Sequence, residues 1–405
     1  MIKKNLIFKN HIEKEKININ LLNKFSLKFL KVKQEIEIEI NNSQKTLNIL
    51  NKNLKFNFNL DQLKTFKKYK TLAIIGMGGS ILGTEAIKNF FKKKVKKKIY
   101  FFNNLNSQDI LNFKEKEKFQ KVLFIVISKS GNTIETLTNL FLLNILKKKL
   151  RNIIIITGKK NNTLFELVKK NELFHIEHKN SIGGRYSVLS EVGIVPSYLM
   201  GLNINKLRSR IREPLKKKNI QFLKESSIKL ACLMHSKKFN NLIFLNYAPE
   251  LDKFLFWCQQ LIAESLGKEG KGFFPVISSA PKDHHSLLQL YLDGPRDKLF
   301  YIFSTDNDSK KKINLKKTIF NENYLNKKKL STIKDAQKNA LMLSLKKNKI
   351  PFREFKINTA NEEVLGELFS YFILETIFVG KIAGVNPFDQ PAVEQVKIGT
   401  KKILM

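Results

Sequence analysis

Over 1–60 the apolar residues recur at helical intervals among Lys, Asn and Glu, a pattern that predicts short amphipathic helices. From residue 70 the pattern changes to short, nearly unbroken apolar runs. Thr71–Gly76 (TLAIIG), 98–103 (KIYFFN), Val122–Ser128 (VLFIVIS) and 152–157 (NIIIIT) read as strands buried on both faces. A helix is predicted over 81–91, and another where Ile134, Leu137, Phe141 and Ile145 fall at helical spacing. A second round begins near residue 220, with a helix over 227–234, a strand at Asn241–Asn246 and a long helix over 250–266. Strands follow at 273–277, 299–304 and 351–357, while 306–330 is polar and basic and reads as a surface excursion. Glu362–Ala383 is helical, the pattern breaks at Asn386-Pro387, and it restarts at Pro391, a favoured first helical residue.

Strands that alternate with amphipathic helices imply parallel sheets. The predicted fold class is α/β, with two consecutive parallel-sheet, three-layer (αβα) sandwich domains flanked by helical N- and C-terminal segments. The expected boundaries are an N-terminal helical segment 1–60, a first sandwich 61–205, a second 206–385 and a C-terminal helix 386–405.

Composition narrows the class. With 405 residues, 42% hydrophobic and 27% charged, the chain has the make-up of a globular protein rather than a disordered tail, a collagen or a small disulfide scaffold. Its 74 Lys+Arg against 35 Asp+Glu give a net charge of +39, which by itself would suggest nucleic-acid binding. The lysines, however, are spread along the whole chain, in clusters such as Lys92 to Lys98 and Lys216 to Lys218, mostly where helices would end and a cation is favoured. Together with 32 Phe and a single Trp this points to AT-rich codon usage, so no specific nucleic-acid partner is expected. Cys232 and Cys258 sit in apolar helical pattern and read as buried free thiols. No run reaches the ~18 apolar residues of a membrane span, and Met1-Ile2-Lys3-Lys4-Asn5 lacks the apolar region of a secretory signal. A cytoplasmic location away from the membrane is expected.

Six segments carry chemistry. Gly76-Met77-Gly78-Gly79-Ser80-Ile81-Leu82-Gly83 joins a strand to a helix, and its amides and hydroxyl suit an anion. It is neither a dinucleotide fingerprint, with Ile81 where glycine would be needed, nor a P-loop; a ligand-free turn is the plain alternative. Ser128-Lys129-Ser130-Gly131-Asn132-Thr133 sets three hydroxyls at the start of a helix, and such a group matches a phosphate monoester better than a simple cap. Lys129 could serve the ligand or solvent. Gly183-Gly184-Arg185 projects a guanidinium from a tight turn, toward an anion or only toward the surface. Glu264, near the end of an apolar helix, is either exposed or a tuned base. His284-His285 opens a helical run, as a proton shuttle or as a surface pair. Gln390, Glu394 and Lys397 share one helix face, for which solvation is the default. His175 and His178 lack the companions of a metal site.

Taken together, these segments resemble the glucose-6-phosphate isomerase family and its sugar-isomerase (SIS) fold, in the family's order from residue 70 onward. IGMGGSILG and SKSGNTIET resemble the two halves of its first ligand site; GGRYSVLSEVG and NPFDQPAVEQVK resemble its signatures. The resemblance implies reversible aldose–ketose isomerisation of glucose 6-phosphate and fructose 6-phosphate, a step of glycolysis and gluconeogenesis, through ring opening and a cis-enediol(ate). It assigns Glu264 as base, His285 and Lys397 to ring opening, and Arg185 to the enediolate. Gly79, Ser80, Ser128, Lys129, Ser130, Thr133, Gly184 and Gln390 would bind substrate. A homodimer is implied, with His285 donated across its interface and the C-terminal helix packed back on the active site. No metal or redox cofactor is required. A non-catalytic sugar-phosphate sensor on the same fold is the alternative, but it has no need of Glu264, His285 and Lys397 together.

Overall fold

The computed structural model describes residues 5–146, 151–159, 161–306 and 323–405. Its ten strands in chain order are β1 (Leu6–His11), β2 (Thr71–Gly76), β3 (Lys98–Phe102), β4 (Val122–Ser128), β5 (Ile153–Thr157), β6 (Phe174–Glu177), β7 (Asn241–Asn246), β8 (Phe274–Ser279), β9 (Lys298–Thr305) and β10 (Phe352–Ile357). They form two five-stranded sheets, ordered β3-β2-β4-β5-β6 and β1-β10-β9-β7-β8. The first is parallel throughout; in the second only β1 runs antiparallel, against β10. The predicted α/β double sandwich is therefore the observed architecture. Of the polar stretch 306–330, residues 307–322 lie outside the described residues.

The apolar runs form central strands because both of their faces are covered. Alternate residues of one strand enter different cores: Leu72 and Ile74 of β2 face one, Ala73 and Ile75 the other, and β4 divides in the same way. In the second sheet Leu242 and Phe244 of β7 join the same core as Leu72, while Ile243 and Leu245 face outward into a third. One face of each sheet thus contributes to a shared core, which is filled by helices Asp252–Leu266 and Glu362–Ala383. The latter is buried almost all round, which is why its sequence shows no polar stripe. Among the described residues no helix is long and apolar enough to cross a membrane. Cys232 and Cys258 are both free and buried.

The N-terminal segment departs from expectation. It is not purely helical, because Leu6–His11 forms β1 and completes the second sheet. Nor are its helices all short: Ile19–Asn41 runs 23 residues, with Asn18 capping the amides of Asn20 and Leu21. Phe25, Phe29, Val32, Ile36 and Ile40 form its buried stripe. β1 escaped detection because its partners are supplied by distant chain: Phe8 packs among Phe222, Phe355 and Tyr371, and Lys9 pairs with Glu354.

An ion pair lies inside the shared core. Arg353 of β10 is 0% exposed and Glu375 of helix Glu362–Ala383 is 1% exposed; Arg353 Nη1 donates to Glu375 Oε1 at 2.8 Å. Tyr371 donates to the same oxygen at 2.8 Å, Tyr301 to the other at 3.2 Å, and Ser226 also donates to Glu375. Removing one partner strands the other charge in a dry core. Glu375→Leu is therefore expected to cost about 3–5 kcal/mol in chemical denaturation. Arg353→Met/Glu375→Leu together should cost less than either change alone, and a double-mutant cycle measures the difference.

Candidate active site

Helix Asp252–Leu266 packs along helix Leu82–Phe90, and this contact brings the chemistry of the two sandwiches together. Leu82–Phe90 follows the glycine-rich turn after β2, while Asp252–Leu266 carries Glu264 near its end. The turn also meets the one that carries Arg185. A Cβ on Gly79 would lie 2.2 Å from the carbonyl carbon of Gly184, so the two backbones touch as only a glycine at 79 permits. Ser187 closes the junction by donating to Gly79 O at 3.3 Å and Gly184 O at 2.7 Å.

The hydroxyl cluster sits where β4 becomes helix Ile134–Leu143. Ser128 Oγ lies 2.9 Å from Thr133 Oγ1, and Ser130 Oγ lies 3.4 Å from it. The amides of Gly131 and Asn132 donate to Ser128 and Ser130 at 3.1 and 3.3 Å. Gly131 adopts φ +65°, and a side chain there would strike Asn162. Thr133 is the N-cap, yet its hydroxyl makes no capping bond, so it faces the same space as the two serines. Lys129 is half-buried within the loop, and its carbonyl accepts from Gly158 N at 3.3 Å. Ser80 is half-buried beside Gly76, which pairs with Ile127, so it stands one strand away from Ser128. β2 and β4 flank the point where the strand order reverses, which in open parallel sheets is where ligands bind.

Arg185 is 2% exposed and uses all five of its N–H groups. Nε donates to Ser265 Oγ at 2.8 Å, and Nη2 to the carbonyls of Pro387 and Asp389 at 2.7 and 3.0 Å. Nη1 donates to Gln390 Oε1 and, at 3.3 Å, to Glu264 Oε2. The other oxygen of Glu264 accepts from Gln260 Nε2 at 3.0 Å, and the Glu264 side chain keeps 31% exposure. The carboxylate is thus gripped from both sides and open in front. Tyr186, donating to Pro387 O at 2.7 Å and within 2.8 Å of Ser265, braces the same loop, and burial raises its phenol pKa. Sequence reasoning missed Gln260 and Ser265. The signal for Gln260 was its place four residues before Glu264 on one helix face.

Two expected residues stand apart in the single chain. His285 is exposed at the end of the 3₁₀ turn Lys282–His285, with no hydrogen bond to the Arg185–Glu264 cluster among the described residues. Its neighbour His284 is engaged, 2.7 Å from the Tyr247 hydroxyl, and burial lowers its pKa. Lys397 pairs with Glu394 at 2.6 Å on helix Pro391–Leu404, both side chains more than half exposed. That helix has no buried residue, so it does not pack back on the site as expected. Only Gln390, its N-cap, reaches Arg185. Its apolar residues Val393, Val396, Ile398, Ile403 and Leu404 are all exposed in the single chain.

A phosphate-sized nest of hydroxyls, a fixed cation and a front-facing carboxylate suit a phosphorylated sugar undergoing proton transfer, and this defines the class of sugar-phosphate isomerases. The particular assignment follows from comparison: the chain belongs to the phosphoglucose isomerase family, whose profile matches residues 49–405. It is 32% identical over 375 residues to the probable glucose-6-phosphate isomerase of Methanococcus maripaludis, covering 89% of this chain and 84% of that one. The glucose-6-phosphate isomerase of Methanocaldococcus jannaschii is likewise 32% identical over 351 residues, with 84% and 85% covered. Among solved structures, a hypothetical protein from Thermus thermophilus superposes with a TM-score of 0.80 at 23% identity, covering 98% of this chain and all of that one. A glucose-6-phosphate isomerase from Chlamydia trachomatis superposes at 0.74 and 16% identity, with 99% and 88% covered, so it shares the fold.

Beside the hydroxyl loop, His178 is 1% exposed and its Nε2 is buried without a partner. Burial, aided by the nearby Lys129 charge, lowers its pKa from 6.5 to about 4. The unfolded chain therefore takes up this proton first, and stability falls as pH drops from 6.5 toward 4. Between pH 7 and 5 this residue should account for ~2 kcal/mol of lost stability. His178→Phe should flatten the denaturation midpoint across that interval by the same amount.

Proposed function

We infer that the chain interconverts glucose 6-phosphate and fructose 6-phosphate, the reaction named for its curated relatives in Methanocaldococcus jannaschii and Mycoplasmopsis synoviae. Among the observations of the structure, the one that carries this reading is the Glu264 carboxylate held between Arg185 and Gln260 yet open at its front. In this reading Ser80, Ser128, Ser130 and Thr133 hold the phosphate with Lys129 beside it, and Gly79 and Gly184 let the sugar approach the backbone. The phosphate takes no part in bond changes; its binding energy fixes the reacting carbons against Glu264.

Ring opening moves a proton between the ring oxygen and the anomeric hydroxyl, a task for His285 and Lys397. Glu264 then removes the proton at C2 and returns it at C1 through a cis-enediol(ate). One base suffices because both carbons lie on the same face. Negative charge grows on the enediolate oxygen, and Arg185 meets it without giving up a proton. Its bond to Glu264, at 3.3 Å, is the longest of its five and the readiest to be exchanged for a substrate oxygen. An exposed His285 fits donation to the site of a second copy in a homodimer. Lys397 requires helix Pro391–Leu404 to come against a site, in its own chain or the partner. The reaction belongs to glycolysis and gluconeogenesis, in the cytoplasm.

Purified protein should convert fructose 6-phosphate to glucose 6-phosphate in a coupled assay, with Glu264→Gln slower by about 10³-fold. A parent that binds fructose 6-phosphate and never turns it over would leave a sensor in place of an enzyme. The shared site has its own test. Glu264→Gln and His285→Ala homodimers should each be nearly inactive, whereas mixed dimers gather both lesions in one site and leave the other intact. Refolding the two variants together should restore about a quarter of wild-type turnover on random pairing. No recovery in mixed dimers would put His285 in its own chain's site.

A further inference from the structure

The second sheet has a built feature at the end opposite His285, where β1 finishes and β10 begins. A groove of about 330 Å³ is lined there by His11, Lys16, Lys346 and Lys349 over a floor that includes Pro351 and Phe352. It continues past Lys16 and Lys349 into a smaller lobe bounded by Tyr291 and Arg296. Among the described residues Glu13, exposed at the rim, is the only carboxylate lining the larger part. Lys16, Lys346, Lys349 and Arg296 form no ion pair among the described residues, and Lys16 is half-buried. Among the described residues, one polar atom in the wall has no partner: His11 Nε2, shielded from solvent.

Cations converging without counter-charges over an apolar floor repel one another, and the lowered local dielectric makes that repulsion stronger than on an open surface. An unpartnered buried ring nitrogen at His11 adds a further cost. A ligand that supplies anionic oxygens relieves that repulsion. The cations are strung out along the groove: Lys346 with His11 at one end, Lys16 and Lys349 where the two lobes meet, and Arg296 at the other. A single phosphate would satisfy only one of these stations.

We propose that this groove is a second anion site, separate from the sugar-phosphate site, that binds a small molecule bearing a chain of two or more phosphates. It owes nothing to the isomerase reading and stands or falls by itself. A free polyphosphate and a nucleotide share this chemistry, and the probes divide them. Titration calorimetry with inorganic tripolyphosphate at physiological salt is expected to find two classes of site on the intact protein. Ser128→Ala/Thr133→Val should remove one class, and Lys16→Glu/Lys349→Glu should weaken the other at least tenfold while fructose 6-phosphate turnover stays unchanged. Lys16→Gln/Lys349→Gln, a milder change, should weaken it in the same sense. Adenosine triphosphate that binds this class several-fold tighter than tripolyphosphate would show that the site also reads the nucleoside; equal affinity would assign the groove to the phosphate chain alone. The exposed pair Lys92 and Lys93 supplies the control. If Lys92→Glu/Lys93→Glu weakens tripolyphosphate as much as the groove variant does, the binding belongs to the net charge of the whole chain and the proposal is overturned. A single class of site, lost entirely with Ser128→Ala/Thr133→Val, overturns it as well.

Discussion

A guanidinium shut away from water is tolerable only when every N–H finds an acceptor, and Arg185 meets that condition by drawing together three separate stretches of chain. Ser265 and Glu264 come from the helix of the second sandwich, Pro387, Asp389 and Gln390 from the C-terminal loop, and Arg185 itself from the end of the first sandwich. Its planar fork fixes the angles among them, which a lysine could not do. The position of the carboxylate relative to the hydroxyl nest is thus set by electrostatics as much as by packing. Gly79 completes the constraint, since a side chain there would strike the backbone of Gly184.

The same logic recurs deeper in the molecule. Glu375 and Arg353 neutralise each other where helix Glu362–Ala383 crosses the second sheet, with tyrosine and serine hydroxyls filling the remaining valences. Arg185 and the Arg353–Glu375 pair thus serve two different joints. One joins the sandwiches at the site, the other fastens the central helix to its sheet.

Much of this was legible in the chain. Central strands announce themselves because sheets covered on both faces need unbroken apolar runs, as in IIIIT of β5. The hydroxyl loop and the paired glycines could be read because their chemistry is local: each motif contains most of its own partners. What could not be read depends on distant chain. β1 gains its identity from β10, and Gln260 gains meaning only when Glu264 is known to be gripped from a second side by Arg185. His285 and Lys397 are named by resemblance, but their exposure shows that a single chain does not assemble everything the resemblance implies.

The pairing of β1 with β10 also bears on how such a chain is made. Leu6–His11 is made long before its partner Phe352–Ile357. Until β10 is made, β1 is an apolar strand with two open edges. The long loop costs little at equilibrium, because closure entropy grows only with the logarithm of length. Its burden is kinetic: a sticky N-terminal ribbon must be kept from other nascent chains until its sheet exists. The lysine and asparagine within it, Lys9 and Asn10, are the kind of residues that discourage such premature partners.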